Sequence, residues 1–174
     1  MLRFAPLTWR YSSPSIGSPA ICATPVLDDL DRALLRLVQH DNQRTHADLG
    51  AEVGLSPSAV RRRLKALRAS GVIQADVSLV APQVGGIQAI VHVAFGDESL
   101  EADAAFRQRM RDAPEVTQCY AVSGEIDFVL VVHAPDLPSY EAWAQRMLMT
   151  DPAIRRSDTH LVWSRVTFST AVPV

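Results

Sequence analysis

The chain is poor in cysteine: Cys22 and Cys119 are the only two among its 174 residues. Two thiols so far apart make no disulfide framework, and they suit a reducing, cytoplasmic interior. No apolar run approaches the roughly 20 residues that a membrane-spanning helix needs, so no membrane partner is expected. The chain also lacks a nucleophile elbow, a Walker loop, an HExxH pair and a dinucleotide fingerprint. Neither an enzymatic role nor a cofactor is therefore expected. With 48% hydrophobic and 21% charged residues, the chain has the composition of a soluble globular protein. Its length suffices for one domain or two small ones.

Acidic residues are unevenly missing. The formal net charge is −2, yet residues 1–27 carry two arginines and no acid. Residues 28–76 carry eight bases and seven acids, and residues 77–174 carry seven bases and twelve acids. The second half is thus unsuited to holding a polyanion by bulk charge, and any nucleic-acid contact must be local. The local candidate is LSPSAVRRRLKALRASGVI, residues 55–73. Between Ser56 and Ser70 it holds Arg61, Arg62, Arg63, Lys65 and Arg68 with no acid interleaved.

Residues 1–26 contain four prolines and four serines and read as a disordered arm. They hold no unbroken apolar stretch of the kind a signal peptide needs. The alternatives are an arm that touches phosphates through Arg3 and Arg10, a targeting presequence, and an artefact of an upstream start site. Helix signals begin at LDDLDRALLRLVQHD. Asp28 suits an N-cap, Asp31 follows three residues on, and Leu30, Leu34, Leu37 and Val38 form one stripe. A second short helix fits THADLGAEVG, with Thr45 as N-cap, Leu49 and Val53 inward and Gly54 at the turn. A third starts at Ser56 and Pro57, where a missing N–H costs nothing, and ends at Gly71. Two helices, a tight glycine turn and a basic helix are the order of a helix-turn-helix unit.

On a helical wheel Val60, Leu64 and Leu67 share one side and face a core. Ser58, Arg62, Lys65 and Ala69 point away from it, Arg61 and Arg68 lie on one flank, and Arg63 lies on the other. A helix entering the major groove of double-stranded DNA needs small residues at its N-terminal end and long donors beyond them. The candidate DNA contacts are accordingly Ser56, Ser58, Ala59, Arg61, Arg62, Arg63 and Lys65.

Residues 77–87 read as a linker ending at Gly85-Gly86. The pattern then alternates: QAIVHVAFG as strand, LEADAAFRQRMRDAP as helix, VTQCYAV and DFVLVVHA as strands, DLPSYEAWAQRMLMTD as helix, and RRSDTHLVWSRVTFST as one strand or two. This βαββαβ order is the ferredoxin-like signature. Leu137, Tyr140, Ala144 and Met147 are expected to pack on the sheet. DFVLVVHA offers water no polar alternation, which argues for a homodimer through sheet faces. His92, His133 and His160 fall on three strands that are neighbours in such a sheet. A metal there is disfavoured, because the spacing matches no ligand motif.

Four segments together resemble the Lrp/AsnC (feast/famine) transcription regulators over residues 27–174. They are LDDLDRALLRLVQHD, LGAEVGLSPSAVRRRLKALRASGVI, SGEIDFVLVVHAPDLPSYEAW and THLVW. The resemblance implies an α+β chain with a winged helix-turn-helix domain (27–76), a linker (77–87) and a ferredoxin-like, RAM-type domain (88–174). It implies dimers through the second domain, often assembled into octamers, and a small-molecule effector, usually an amino acid. By match to the family motif, Ser123, Gly124, Glu125 and Asp127 lie on the effector-side loop, with Thr159 on the last strand. From the residues alone, Gly124 and Asp127 suit a hairpin turn equally well. The family often has Gly-Tyr after the GVI, where this chain has Gln74-Ala75-Asp76-Val77. The resemblance also covers siroheme decarboxylases, but their Tyr-Asn-x-Trp stretch and paired histidines are missing. A small-molecule sensor without DNA binding is a further alternative, against which the intact basic helix speaks.

Overall fold

The computed structural model describes residues 26–96 and 99–174. Apart from Val26, the arm expected over residues 1–26 lies outside the described residues. The chain divides into two compact units between Asp76 and Val77.

In the first unit, α1 spans Asp29–His40, α2 His46–Val53 and α3 Pro57–Ala69. Each start is capped by a side chain, which satisfies backbone donors that the helix itself leaves orphaned. The Asp31 N–H donates to Asp28 at 2.7 Å. Thr45 and Asp48 form a reciprocal capping box on α2. The Ala59 N–H donates to the Ser56 hydroxyl at 3.3 Å. Gly54, at φ 71°, ends α2 in the left-handed region that glycine enters freely. Leu34, Leu35, Leu49, Val60, Leu64 and Leu67 make the core. Burying such a side chain contributes about 1.5–3 kcal/mol relative to leaving it in water.

Two features of this unit differ from expectation. Among the described residues no strand lies between α3 and Ile87, so the implied wing is not built as a strand pair. Asp76 accepts from Arg68 at 2.9 and 3.1 Å, which draws the segment after Gly71 back onto the end of α3. Thr170–Val174, expected at the end of the second domain, makes its contacts with the first unit. The Gln39 side chain bonds both the N–H and the carbonyl of Val172, and Val174 packs against the three-helix core.

In the second unit the order is β1 (Ile87–Phe95), α4 (Leu100–Asp112), β2 (Val116–Ala121), β3 (Phe128–Ala134), α5 (Leu137–Ala144) and β4 (Ile154–Leu161). A π-type turn, Gln145–Met149, prolongs α5. The sheet is antiparallel with strand order β2-β3-β1-β4, the ferredoxin-like arrangement. One face is buried under the helices, where Val91, Val93, Phe128, Leu130 and Val132 meet Phe106, Met110, Tyr140, Trp143 and Leu148. Leu137, expected inward, is 45% exposed. It occupies the first turn of α5, and the apolar stripe begins only at Tyr140 and runs through Trp143, Ala144 and Leu148. The opposite face carries Ile90, His92, Tyr120, Val129, Val131 and His160, as strand alternation requires. There Tyr120 is 53% and Ile90 36% exposed.

Candidate nucleic-acid interface and effector loop

The basic helix is placed by its apolar side. Val60, Leu64 and Leu67 are at most 5% exposed, so the rest of α3 must face outward. Gly50 sets how closely the helix approaches α2. The Leu55 N–H donates to the Gly50 carbonyl at 2.9 Å, closing the turn between the helices. A Cβ on Gly50 would stand 2.3 Å from the Leu55 carbonyl oxygen. The cap pattern points to Gly54, which ends α2, but not to Gly50, which closes the turn. A glycine inside a helical pattern, where alanine would favour the helix, was the available signal.

The five bases of α3 separate into two groups. Arg63 donates to Asp28 at 2.7 Å and to Asp31 at 2.8 Å. It therefore fastens α3 to the start of α1. Hydrogen bonds to Asp31 and then Asp28 raise its pKa further above the ordinary arginine value. Arg68 is held by Asp76 in the same way. Arg61, Arg62 and Lys65 have no acidic partner among the described residues. With Ser58 they line one open concavity on the outer side of α3. Ser58 is further tied to the Ser56 hydroxyl at 3.1 Å, which keeps the helix start compact, and Ala59 is half-buried. Arg63 thus stands apart from the DNA-facing group expected for it. Its carboxylate partners lie 32 and 35 residues away, beyond the reach of a local charge count. Three unneutralised cations behind a row of small residues form a surface suited to phosphates and base edges.

The loop expected to face an effector joins β2 to β3 and is closed by Val122 N–H donating to the Asp127 carbonyl at 3.0 Å. Gly124 has φ 128°, while a Cβ there would meet nothing within 4 Å. The glycine is thus required by backbone conformation and not by crowding. Asp127 ties the loop to β1: its N–H donates to the Val93 carbonyl at 2.8 Å and its carboxylate accepts from the Phe95 N–H at 2.7 Å. Ser123, Gly124 and Glu125 are exposed. Thr159 is not brought to this loop. It lies on β4 opposite Val91 of β1, and its hydroxyl meets the Tyr140 hydroxyl at 2.6 Å. Burial pushes the Tyr140 phenol up from its ordinary value. The Thr159–Tyr140 contact was not foreseen, because no local pattern pairs a strand with a helix 19 residues away.

The three histidines do not gather. His92 and His160 have ring centroids 5.2 Å apart, while His133 lies against the Gln88 side chain at 3.1 Å. Among the described residues no group of three or more His, Cys, Asp or Glu is placed to hold a metal. Nor is any described helix long and apolar enough to cross a membrane.

A three-helix unit presenting a basic third helix, joined to a ferredoxin-like domain, defines a two-domain protein of the helix-turn-helix DNA-binding class. Comparison with known proteins narrows this class. The AsnC-type helix-turn-helix domain matches residues 27–68, and the Lrp/AsnC ligand-binding domain matches residues 88–172. An HTH-type transcriptional regulator of Sinorhizobium fredii is 41% identical over 150 residues, 85% of this chain and 89% of that protein. The crystal structure of an AsnC family transcriptional regulator from Agrobacterium tumefaciens has a TM-score of 0.77 at 32% identity, covering 84% of this chain and 97% of that one. That of a transcriptional regulator from Neisseria meningitidis, in complex with L-Met, has a TM-score of 0.78 at 27% identity, covering 85% and 97%. The chain belongs to the Lrp/AsnC family of transcriptional regulators.

Proposed function

We propose that this regulator reads its operator with Arg61, Arg62 and Lys65, and with Ser56, Ser58 and Ala59 at the helix start. The observation that carries this reading is the absence of an acidic partner for those three cations, among the described residues, beside two arginines on the same helix that have one. Arg63 is assigned to holding α3 in place. A pair of such helices, supplied by a homodimer formed through the exposed sheet face, fits a palindromic site. Further assembly to octamers is part of the same reading.

The loop of Ser123, Gly124, Glu125 and Asp127 is the proposed effector contact. Exposed backbone N–H groups there suit a carboxylate, and Glu125 suits an ammonium. The L-Met complex of the Neisseria meningitidis relative supports an amino acid as the ligand class. Thr159, engaged by Tyr140 and two strands away from the loop, would join the site only from a neighbouring subunit. An effector that favours one assembly state over another changes DNA affinity by linkage. The protein acts in the cytoplasm by binding, without catalysing a reaction of its own.

Selection from sheared genomic DNA at moderate salt tests the reading, with and without added L-Met and other amino acids. Enrichment of a few promoter-proximal palindromes is expected. Uniform recovery in all runs would mark an architectural binder and end the sequence-specific reading.

A further inference from the structure

The chain passes between its two units twice, once at Asp76–Val77 and again at Ser169–Thr170. The second crossing ends on a built contact. The Val172 N–H donates to Gln39 Oε1 at 2.7 Å, and Gln39 Nε2 donates to the Val172 carbonyl at 3.2 Å. One side-chain amide thereby satisfies both backbone groups of one residue, as a neighbouring strand would. Arg36 Nη1 donates to the Val174 carbonyl at 3.0 Å. Val174 packs on the core that Leu34, Leu64 and Leu67 form, and Ala171 is half-buried. Backbone groups, a guanidinium and an apolar residue all converge on one side of α1.

We infer that residues 170–174 are a strap: an extended segment that follows the effector sheet and docks on α1, coupling the DNA-binding unit to the domain that answers the effector. The docking surface is the Arg36–Gln39 side of α1, and its occupant is this chain's own Thr170–Val174. With the strap docked, the first unit is tethered at two points, and less orientational freedom remains to be lost when two recognition helices seat together on a palindrome. With the strap released, only the 76–77 crossing remains. Any rearrangement of the sheet domain that draws on the segment after β4 then reaches α1 directly. The coupling to operator affinity rests on the DNA-binding reading above; the strap contact itself does not.

Two variants of the full chain test it: a chain ended after Ser169, and Gln39→Glu, which removes the donor and sets a carboxylate against the Val172 carbonyl. Hydrogen exchange of the α1 and α3 amides is read first. Ending the chain after Ser169 removes three hydrogen bonds and one apolar contact and should speed it about tenfold or more, whereas Gln39→Glu removes one donor and should speed it less. Operator affinity is read second, on a full palindrome and on a single half-site. The palindrome should be bound several-fold more weakly by both variants, with half-site binding little changed. Unchanged exchange in both variants would overturn the strap. Faster exchange with unchanged palindrome affinity would overturn the coupling and leave only a stabilising contact. If no DNA is bound by any form, the exchange result still decides the strap, and the failure falls on the DNA-binding reading.

Discussion

A Cβ placed on Gly50 would lie 2.3 Å from the carbonyl oxygen of Leu55, and the two residues already share a backbone hydrogen bond across the helix-turn-helix corner. The obstacle is backbone, which cannot swing aside as a flexible side chain does. Gly50→Ala should therefore destabilise the first unit by about 1–3 kcal/mol, the usual cost of overpacking. Thermal unfolding checks this. Gly54→Ala serves as the contrast, since no atom stands within 4 Å of a Cβ there and only the φ of 71° opposes it.

Arg62 and Arg63 are adjacent in sequence, but of the two only Arg63 has carboxylate partners among the described residues. Arg62→Ala should weaken specific operator binding about tenfold or more, the loss expected for a base-reading arginine, without altering thermal stability or dimerisation. Arg63→Ala should lower the melting temperature, because Asp28 and Asp31 lose their common partner. Titrations and melting curves on both variants separate the roles; equal operator affinity for Arg62→Ala and the parent would misplace the recognition face.

Operator affinity should fall steeply with salt, because phosphate contacts release counterions. Lys65→Ala is expected to weaken binding to specific and unrelated DNA alike, and to reduce the slope of log affinity against log salt by about 1. An unchanged slope would place Lys65 off the phosphate backbone.

His133 should make the stability of the second unit depend on pH. Burial, and then the charge of Arg165, lowers its pKa below the ordinary 6.5. The unfolded chain therefore binds a proton that the folded chain resists, and stability rises with pH across that interval. The contribution is complete above about pH 6.5 and is lost as pH falls toward the lowered folded value. His133→Gln should flatten the melting temperature of the sheet domain between about pH 7 and pH 5. Persistence of the full slope in that variant would assign it to other groups.

The proposed effector contact at the β2–β3 loop offers a paired test. Asp127 holds the end of β1 through the Phe95 N–H, whereas Glu125 is exposed and has no ion-pair partner among the described residues. Glu125→Gln should weaken L-Met binding, read by calorimetry, and leave the melting temperature unchanged. Asp127→Ala should lower both. Undiminished L-Met binding by Glu125→Gln would remove Glu125 from the site.

Most of the architecture was legible in short-range patterns. Caps at Asp28, Thr45 and Ser56, the Val60–Leu64–Leu67 stripe and the βαββαβ order depend on spacings of two to four residues along one element. So does the basic character of α3. Where tertiary contacts decided, these patterns fell short. Leu137 has the right periodicity but sits in a first turn short of the sheet, and Trp143 fills the core instead. The three histidines share neighbouring strands, yet register and side-chain contact pair only His92 with His160.

By itself the sequence determined the two-domain order, the strand and helix alternation, and which helix bears the positive charge. Local propensity, capping and periodicity act within a few residues and are written along the chain. Tertiary structure alone decided which of those charges are free. Arg63 is neutralised by acids more than thirty residues before it, and Arg68 by the segment that follows its helix. It also decided that Thr170–Val174 belongs with α1, because the core against which Val174 packs exists only once three helices have come together.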